Sequence, residues 1–397
     1  MTPVSTATSG PPAHSNGSTP SGRQIDLPAL LAELTPERGW LVLPAFAEPH
    51  AHLDKAFLAE VVENPTGDLM GAIDAMRAHA PSVTIADTIE RAERAARLML
   101  SNGCTAIRSH ADMSAETGLD AIEALIAVRE RLRDLVDLQI VALCGWPSTG
   151  AAGANQRAML RDAVAMGIDV IGGCPHLEDD PVEANAVFLG IAAEAGLPLD
   201  LHTDETLDAA KLTLDDLSMR VIESEFPHGV TASHCVSLGL QPEAVQRRIA
   251  EQVAAAGIHV VALPHTNLFL QGRHHQQAMP RGLTAVRALR EAGVTVAAGA
   301  DNLQDPFNPM GRGDPLETAA LMVMTTHLLP FEALDSIAAA PRRVMGLAPT
   351  EPISGNLVAV RASTVREAIA FGPADRIVVR QGRLVAGDIP AQAHRQS

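Results

Sequence analysis

From residue 41 to residue 301, short apolar runs of strand length alternate with longer segments of helical period. The runs cover 41–48, 105–112, 138–143 and 169–174, then 199–202, 229–234, 259–263 and 295–301. Between them, 85–100, 118–133, 184–195 and 242–256 repeat apolar residues at helical spacing. Eight strands alternating with helices predict a parallel sheet, and eight is the number that closes a (β/α)8 TIM barrel. After Ile353 the pattern shortens to runs at 357–360, 368–371, 376–379 and 383–386, separated by glycines, as in a small antiparallel β unit. Residues 24–43 supply one or two further strands to that unit. The expected organisation is an unfolded tail over 1–22, a barrel over 44–349, and a small β-sandwich subdomain from 23–43 and 350–390. About twenty residues precede the first barrel strand, so the amino-terminal share of the subdomain is expected to be incomplete.

Polar residues interrupt the pattern at one kind of place, the carboxyl ends of the runs. His50-Ala-His52 follows the first run, His202 and His234 close the fifth and sixth, and Asp301 closes the eighth. Fifteen histidines in 397 residues produce about 0.6 His-x-His pairs by chance, so the spacing alone is weak. Recurrence at strand ends is what gives it weight, because that face of a barrel is where catalytic groups collect. An open doubly wound sheet would not bring strands one and eight together.

Composition narrows the function. The formal charge of −17, with no Lys/Arg-rich run, argues against nucleic acid or an anionic membrane as partner. No stretch reaches the roughly 18 apolar residues of a membrane span, and residues 1–23 lack the apolar core of a signal peptide. The four cysteines, Cys104, Cys144, Cys174 and Cys235, form no C-x-x-C pair and read as small buried hydrophobes in a reducing, cytoplasmic setting.

Neutral imidazoles with one carboxylate suit zinc or ferrous iron, and His50, His52, His202 and Asp301 supply them. No lysine lies near the end of the fourth run to bridge a second metal, so a single divalent ion is expected. Glu205, three residues past His202, stands where a proton shuttle would lie beside the ion. His234 is placed to hydrogen-bond the attacking oxygen or the developing oxyanion. Lys55 either faces the pocket or pairs with a carboxylate such as Asp54 or Glu60. His274-His275 reads as a solvated loop pair, and Asp179-Asp180 as a helix start.

The chain resembles the cytosine deaminase branch of the amidohydrolase superfamily. The resemblance rests on Pro-Ala-Phe-Ala-Glu-Pro-His-Ala-His-Leu-Asp, Asp-Leu-Gln-Ile-Val-Ala, Leu-His-Thr-Asp-Glu, Val-Thr-Ala-Ser-His, Asn267-Leu-Phe-Leu-Gln-Gly-Arg273 and Gly299-Ala-Asp-Asn-Leu-Gln-Asp-Pro306, in that order. It implies a metal-dependent barrel with a small β-sandwich. It also implies ligand roles for His50, His52, His202 and Asp301, and proton-transfer roles for Glu205, His234 and Asp301. The implied reaction has Asp301 take a proton from metal-activated water while Glu205 protonates the ring nitrogen beside the attacked carbon, and ammonia leaves. Relatives are often oligomeric, which leaves a homo-oligomer open.

The departures concern the substrate. A glutamine that reads the pyrimidine in cytosine deaminases is replaced by Ser148, the paired aspartates become Asp301-Asn302, and Phe307 stands in place of a tryptophan. The expected substrate contacts are Lys55, Trp146, Ser148, Gln271, Asn302 and Phe307. The expected activity is hydrolytic deamination of a small amino-substituted nitrogen heterocycle other than cytosine. The alternatives are cleavage of another C–N bond, in an N-alkylamino-triazine or cyclic amide, and an inactive binding protein on the same scaffold.

Overall fold

The computed structural model describes residues 22–389, so the tail expected over 1–22 lies outside the described residues except for Gly22. In chain order the strands are β1 (Arg23–Gln24), β2 (Leu41–Pro44), β3 (Phe46–Ala51), β4 (Cys104–Met113), β5 (Asp137–Cys144), β6 (Val170–Gly173) and β7 (Leu199–Thr203). They continue with β8 (Val230–His234), β9 (His259–Ala262), β10 (Val296–Ala298), β11 (Leu357–Val360), β12 (Arg376–Arg380) and β13 (Arg383–Ala386). Strands β3 to β10 form one eight-stranded parallel sheet in sequential order, the topology of a (β/α)8 barrel.

The seam between β3 and β10 closes through backbone and one carboxylate. Ala51 bridges Asp301 in parallel register, and Asp301 N–H donates to the His50 carbonyl at 3.0 Å. Glu48 then accepts from His50 N–H at 3.0 Å and from Ala300 N–H at 2.9 Å, stitching strand one to the end of strand eight. Gly299 is required at this point, because a Cβ there would lie 2.5 Å from the Glu48 carboxylate. Closure therefore carries Asp301 to the His-x-His pair, which an open sheet would not do.

The apolar run 41–48 proves to be two strands in two sheets. Ala45 N–H bonds to Asn356 and Phe46 N–H to Gly103, so successive amides serve different partners and the chain changes sheet between them. Continuous hydrophobicity conceals such a break, since both sides of it are buried. The eighth run is also shorter in sheet than the pattern suggested, with Asp301 held beyond β10 by its bridge.

Strands β1, β13, β12, β11 and β2 make a five-stranded antiparallel sheet from the two chain ends. Alternation along β11 assigns its faces: Leu357 and Ala359 pack with Leu30, Leu34 and Trp40, while Val358 and Val360 join the barrel core. Helix Leu27–Glu33 thus stands where a two-sheet sandwich would place its second sheet. The run 368–371 is not a strand but the end of helix Val365–Phe371, which Thr364 caps through Glu367 N–H and Gly372 terminates in the left-handed conformation.

The surrounding helices form for ordinary reasons. Helix Ile85–Ser101 starts at Thr84, whose hydroxyl accepts from Asp87 N–H, and it buries Thr88, Arg91, Ala92, Ala95, Ala96 and Met99 along one stripe. Asp180 caps helix Pro181–Ala195 through Glu183 N–H. Among the described residues no helix is long and apolar enough to cross a membrane.

Candidate metal centre and active site

Strands that point alternate side chains inward fill this barrel with a polar column. Arg108, His110 and Asp112 rise along β4, while Asp200 and His202 rise along β7. At its base Arg108 donates to Asp200 Oδ2 at 2.8 Å, and Ser233 Oγ donates to Asp200 Oδ1 at 3.0 Å. That leaves Ser233 Oγ to accept from His50 Nδ1, 2.9 Å away, and so turns the His50 Nε2 lone pair toward the mouth.

Above this base four buried groups converge. His50 Nε2 and His52 Nε2 lie 3.6 and 3.3 Å from Asp301 Oδ1. His52 Nε2 and His202 Nε2 face each other at 3.2 Å. His50 Nε2 and both Asp301 oxygens are buried with no hydrogen-bond partner. Buried acceptors left unpaired in this way cost stability, whereas a cation among them satisfies all of them at once. Donor atoms of His50, His52 and Asp301, and separately of His50, His202 and His234, fall within 4.8 Å of one another. The donor set fits a divalent metal. A third group, His50, His110 and Asp200, is equally compact, but Asp200 is already engaged by Arg108 and Ser233.

Protonation states agree with that fit. Burial, followed by the neighbouring imidazoles, holds His50 and His202 well below the ordinary histidine range, leaving them neutral donors. Burial would raise the Asp301 carboxyl, yet the His52 imidazole 3.3 Å away and the nearby His234 bring it below its ordinary value. His234 is pushed down to about 4 by burial, against the pull of Asp301. Glu205 moves the other way: burial, then repulsion from Asp301, raises it well above an ordinary carboxyl although Lys55 opposes the shift. The two carboxyls are pushed in opposite directions, Asp301 toward the ionised form and Glu205 toward the protonated one, the division of labour proton transfer requires.

His234 Nδ1 stands 3.6 Å from Glu205 Oε1, its Nε2 stands 4.0 Å from Asp301 Oδ2, and the Asn267 amide donates to Nδ1 at 3.2 Å. Both His234 and Asp301 adopt left-handed backbone conformations, φ +67° and +61°, which histidine and aspartate enter more readily than most residues.

The site opens into a cavity of about 950 Å³, lined by Lys55, Trp146, Asn302 and Phe307 among the expected substrate contacts. Two expected contacts are not brought to it. Ser148 is fully buried with its N–H donating to Glu178 at 2.6 Å, and Gln271 spends its amide on the Glu205 carbonyl at 3.3 Å. Lys55 is both buried and ion-paired, but with Asp112 at 2.7 Å rather than Asp54 or Glu60, and its ammonium also contacts His52 Nδ1 at 3.1 Å. Burial works against the charge, yet Asp112 and Asp54 keep Lys55 above its ordinary value. His274 and His275 are exposed loop residues.

The sequence pattern passed over Asp112, His110, Ser233 and Glu48. His110-Ala-Asp112 carried the same signal as His50-Ala-His52, alternate polar residues at a strand end, and was findable by the same rule.

Comparison with known proteins agrees with this geometry. A family model described as the amidohydrolase family matches residues 58–351. A pterin deaminase from Rhizobium rhizogenes is 34% identical over 373 residues, covering 91% of this chain and 84% of that protein. A crystal structure of 5-methylcytosine deaminase from Klebsiella pneumoniae, liganded with 5-fluorocytosine, superposes with a TM-score of 0.81 at 30% identity, covering 88% of this chain and 87% of that one. An N-isopropylammelide isopropylaminohydrolase from Burkholderia multivorans gives a TM-score of 0.74 at 31% identity, with 87% of each chain covered.

Proposed function

This chain belongs to the amidohydrolase family, and we propose that its barrel mouth carries out metal-dependent hydrolytic deamination of a small amino-substituted nitrogen heterocycle. The observation that carries the proposal is the buried set His50, His52, His202 and Asp301, facing the buried Glu205 across His234. In this reading those four residues hold a single ion, zinc or ferrous iron, since three imidazoles and a carboxylate suit both. The ion supplies Lewis acidity, lowering the pKa of water toward neutrality.

The chain's own groups do the rest. Asp301, ionised and with both oxygens free of other hydrogen bonds, takes a proton from the attacking water. Glu205 delivers its proton to the ring nitrogen beside the attacked carbon. His234, fixed by Asn267, hydrogen-bonds the new oxygen. Asp301 then passes the proton it took to the departing amine, the new hydroxyl returns its proton to Glu205, ammonia leaves, and C–NH₂ has become C=O. Lys55, Trp146, Asn302 and Phe307 bind the ring. The relatives point to pterin and 5-methylcytosine as the first substrates to offer.

A second reading has a specific support, the likeness at 31% identity to an enzyme that removes isopropylamine. Both reactions attack a ring carbon bearing nitrogen and differ in the amine released. Incubating the metal-loaded protein with pterin, 5-methylcytosine and N-isopropylammelide, and identifying the amine, separates them. Ammonia from either of the first two supports the deaminase. Isopropylamine alone, with no ammonia, favours the second reading.

A further inference from the structure

Glu205 ends a turn whose carbonyls are held one after another. His176 Nδ1 donates to the His202 carbonyl at 3.0 Å, Cys235 N–H to that of Thr203 at 2.8 Å, and Val236 N–H to that of Asp204 at 3.0 Å. Asp204 turns the chain, at φ +51°, and its buried carboxylate takes the Thr213 and Leu214 N–H groups at 2.8 and 3.0 Å. The Glu205 carbonyl comes next, beyond the strand, at the head of a stretch over 206–212 that belongs to no helix or strand. Among the described residues its donor is a side chain, the Gln271 amide at 3.3 Å. Gln271 closes the short helix Pro264–Leu270, with its own N–H bonded to the Asn267 carbonyl at 2.9 Å.

Asn267 and Gln271 are four residues apart, so their carboxamides stand one helical turn from each other on the same side. Asn267 donates to His234 Nδ1 at 3.2 Å and Gln271 to the Glu205 carbonyl, and the two residues so held face each other at 3.6 Å. We propose that Gln271 is a positioning residue for proton transfer, the second arm of a clamp that sets Glu205 against His234. This rests on the deaminase reading above and deepens it by naming what aims the proton donor. Holding that carbonyl fixes the peptide plane after Glu205, and with it the direction in which the side chain leaves the backbone. Gly282 keeps the arm itself in place, since its backbone lies so close that a Cβ there would be 2.6 Å from the Gln271 Cβ. Magnitudes separate the role from a structural one. A single neutral hydrogen bond adds little to the fold, whereas a catalytic group displaced by about 1 Å costs up to about 10²-fold in rate.

The test is a double-mutant cycle on the metal-loaded protein, with pterin and 5-methylcytosine as substrates. Gln271→Met keeps the length of the side chain and loses the donor. It is expected to lower kcat about tenfold, to leave KM within about twofold and to leave metal content unchanged. On a Glu205→Gln background the same substitution should cost less than about twofold, because no proton donor is left to aim. Gln271→Glu, ionised and unable to donate, should repeat both results and serves as the second variant. Equal loss on the two backgrounds, a rise in KM with kcat unchanged, no loss at all, or failure of both variants to fold overturns the proposal. A crystal structure of either variant reads the same claim without turnover. The Glu205 carboxyl is expected to leave its place beside His234, and a carboxyl still 3.6 Å from Nδ1 counts against the clamp. A wild type that frees no ammonia, with the carboxyl displaced in the variant, contradicts only the deaminase reading.

Discussion

Lys55 Nζ sits 2.7 Å from Asp112 Oδ1, linking the loop after the first barrel strand to the end of the second directly beside His52. The lysine is buried and the carboxylate is half-exposed to the cavity, so the pair orients a pocket-facing anion rather than merely bracing the core. Lys55→Met should raise KM for the ring substrate about tenfold. Partial exposure of Asp112 limits the stability loss to roughly 1–2 kcal/mol. Steady-state kinetics with a thermal melt on the same preparation checks both, and a collapsed melt with unchanged KM would show the pair to be structural alone.

Glu205 carries a proton that its surroundings protect. Its pKa is raised by burial and by repulsion from Asp301, so the acid form persists to higher pH than an ordinary carboxyl allows and is lost as pH climbs through the raised value. With Glu205 as proton donor, kcat/KM should therefore be sustained on the acidic side of that pKa and decline above it. Glu205→Gln keeps the shape without a transferable proton. It should cost about 10²- to 10⁴-fold in kcat and abolish that alkaline decline, with metal content unchanged. A pH–rate profile run beside metal analysis decides this.

Ser233 bears on the proposed metal site only through His50. Its hydroxyl links His50 Nδ1 to Asp200, which Arg108 anchors. Ser233→Ala should lower metal affinity about 10- to 100-fold while leaving the fold intact. Competition with a chelator measures it.

Arg376 ties the small sheet to the barrel. Its guanidinium grips both Asp314 oxygens, at 2.8 and 2.6 Å, and also the Asn102 carbonyl, in a nearly solvent-free position. Arg376→Met leaves Asp314 without its partner and should cost about 3 kcal/mol in chemical denaturation. Arg376→Lys should recover only part, because a single ammonium cannot span both oxygens.

Much of this was visible in the chain. Apolar runs ending in His50-x-His52, His202, His234 and Asp301 predicted the strand order and the barrel, and they brought the proposed metal donors to one mouth, because a barrel exposes its strand ends on one face. What escaped has physical causes. The break at Ala45 is silent, since both sheets bury their strands. Helix Val365–Phe371 is too short for its period to outweigh an apolar appearance. The direction of Ser148 depends on how its loop folds over Glu178, which takes its N–H.

The central claim is that one metal ion on His50, His52, His202 and Asp301 makes this chain a heterocycle deaminase. Bound metal and ammonia release, measured together on protein reconstituted stepwise with zinc or iron, test it most directly. The account predicts ammonia from pterin or 5-methylcytosine rising in proportion to metal, saturating at one equivalent per chain, and absent from Asp301→Asn. Release that persists without metal, or in Asp301→Asn, would contradict it, as would a fully loaded protein that frees no ammonia from any amino-substituted ring.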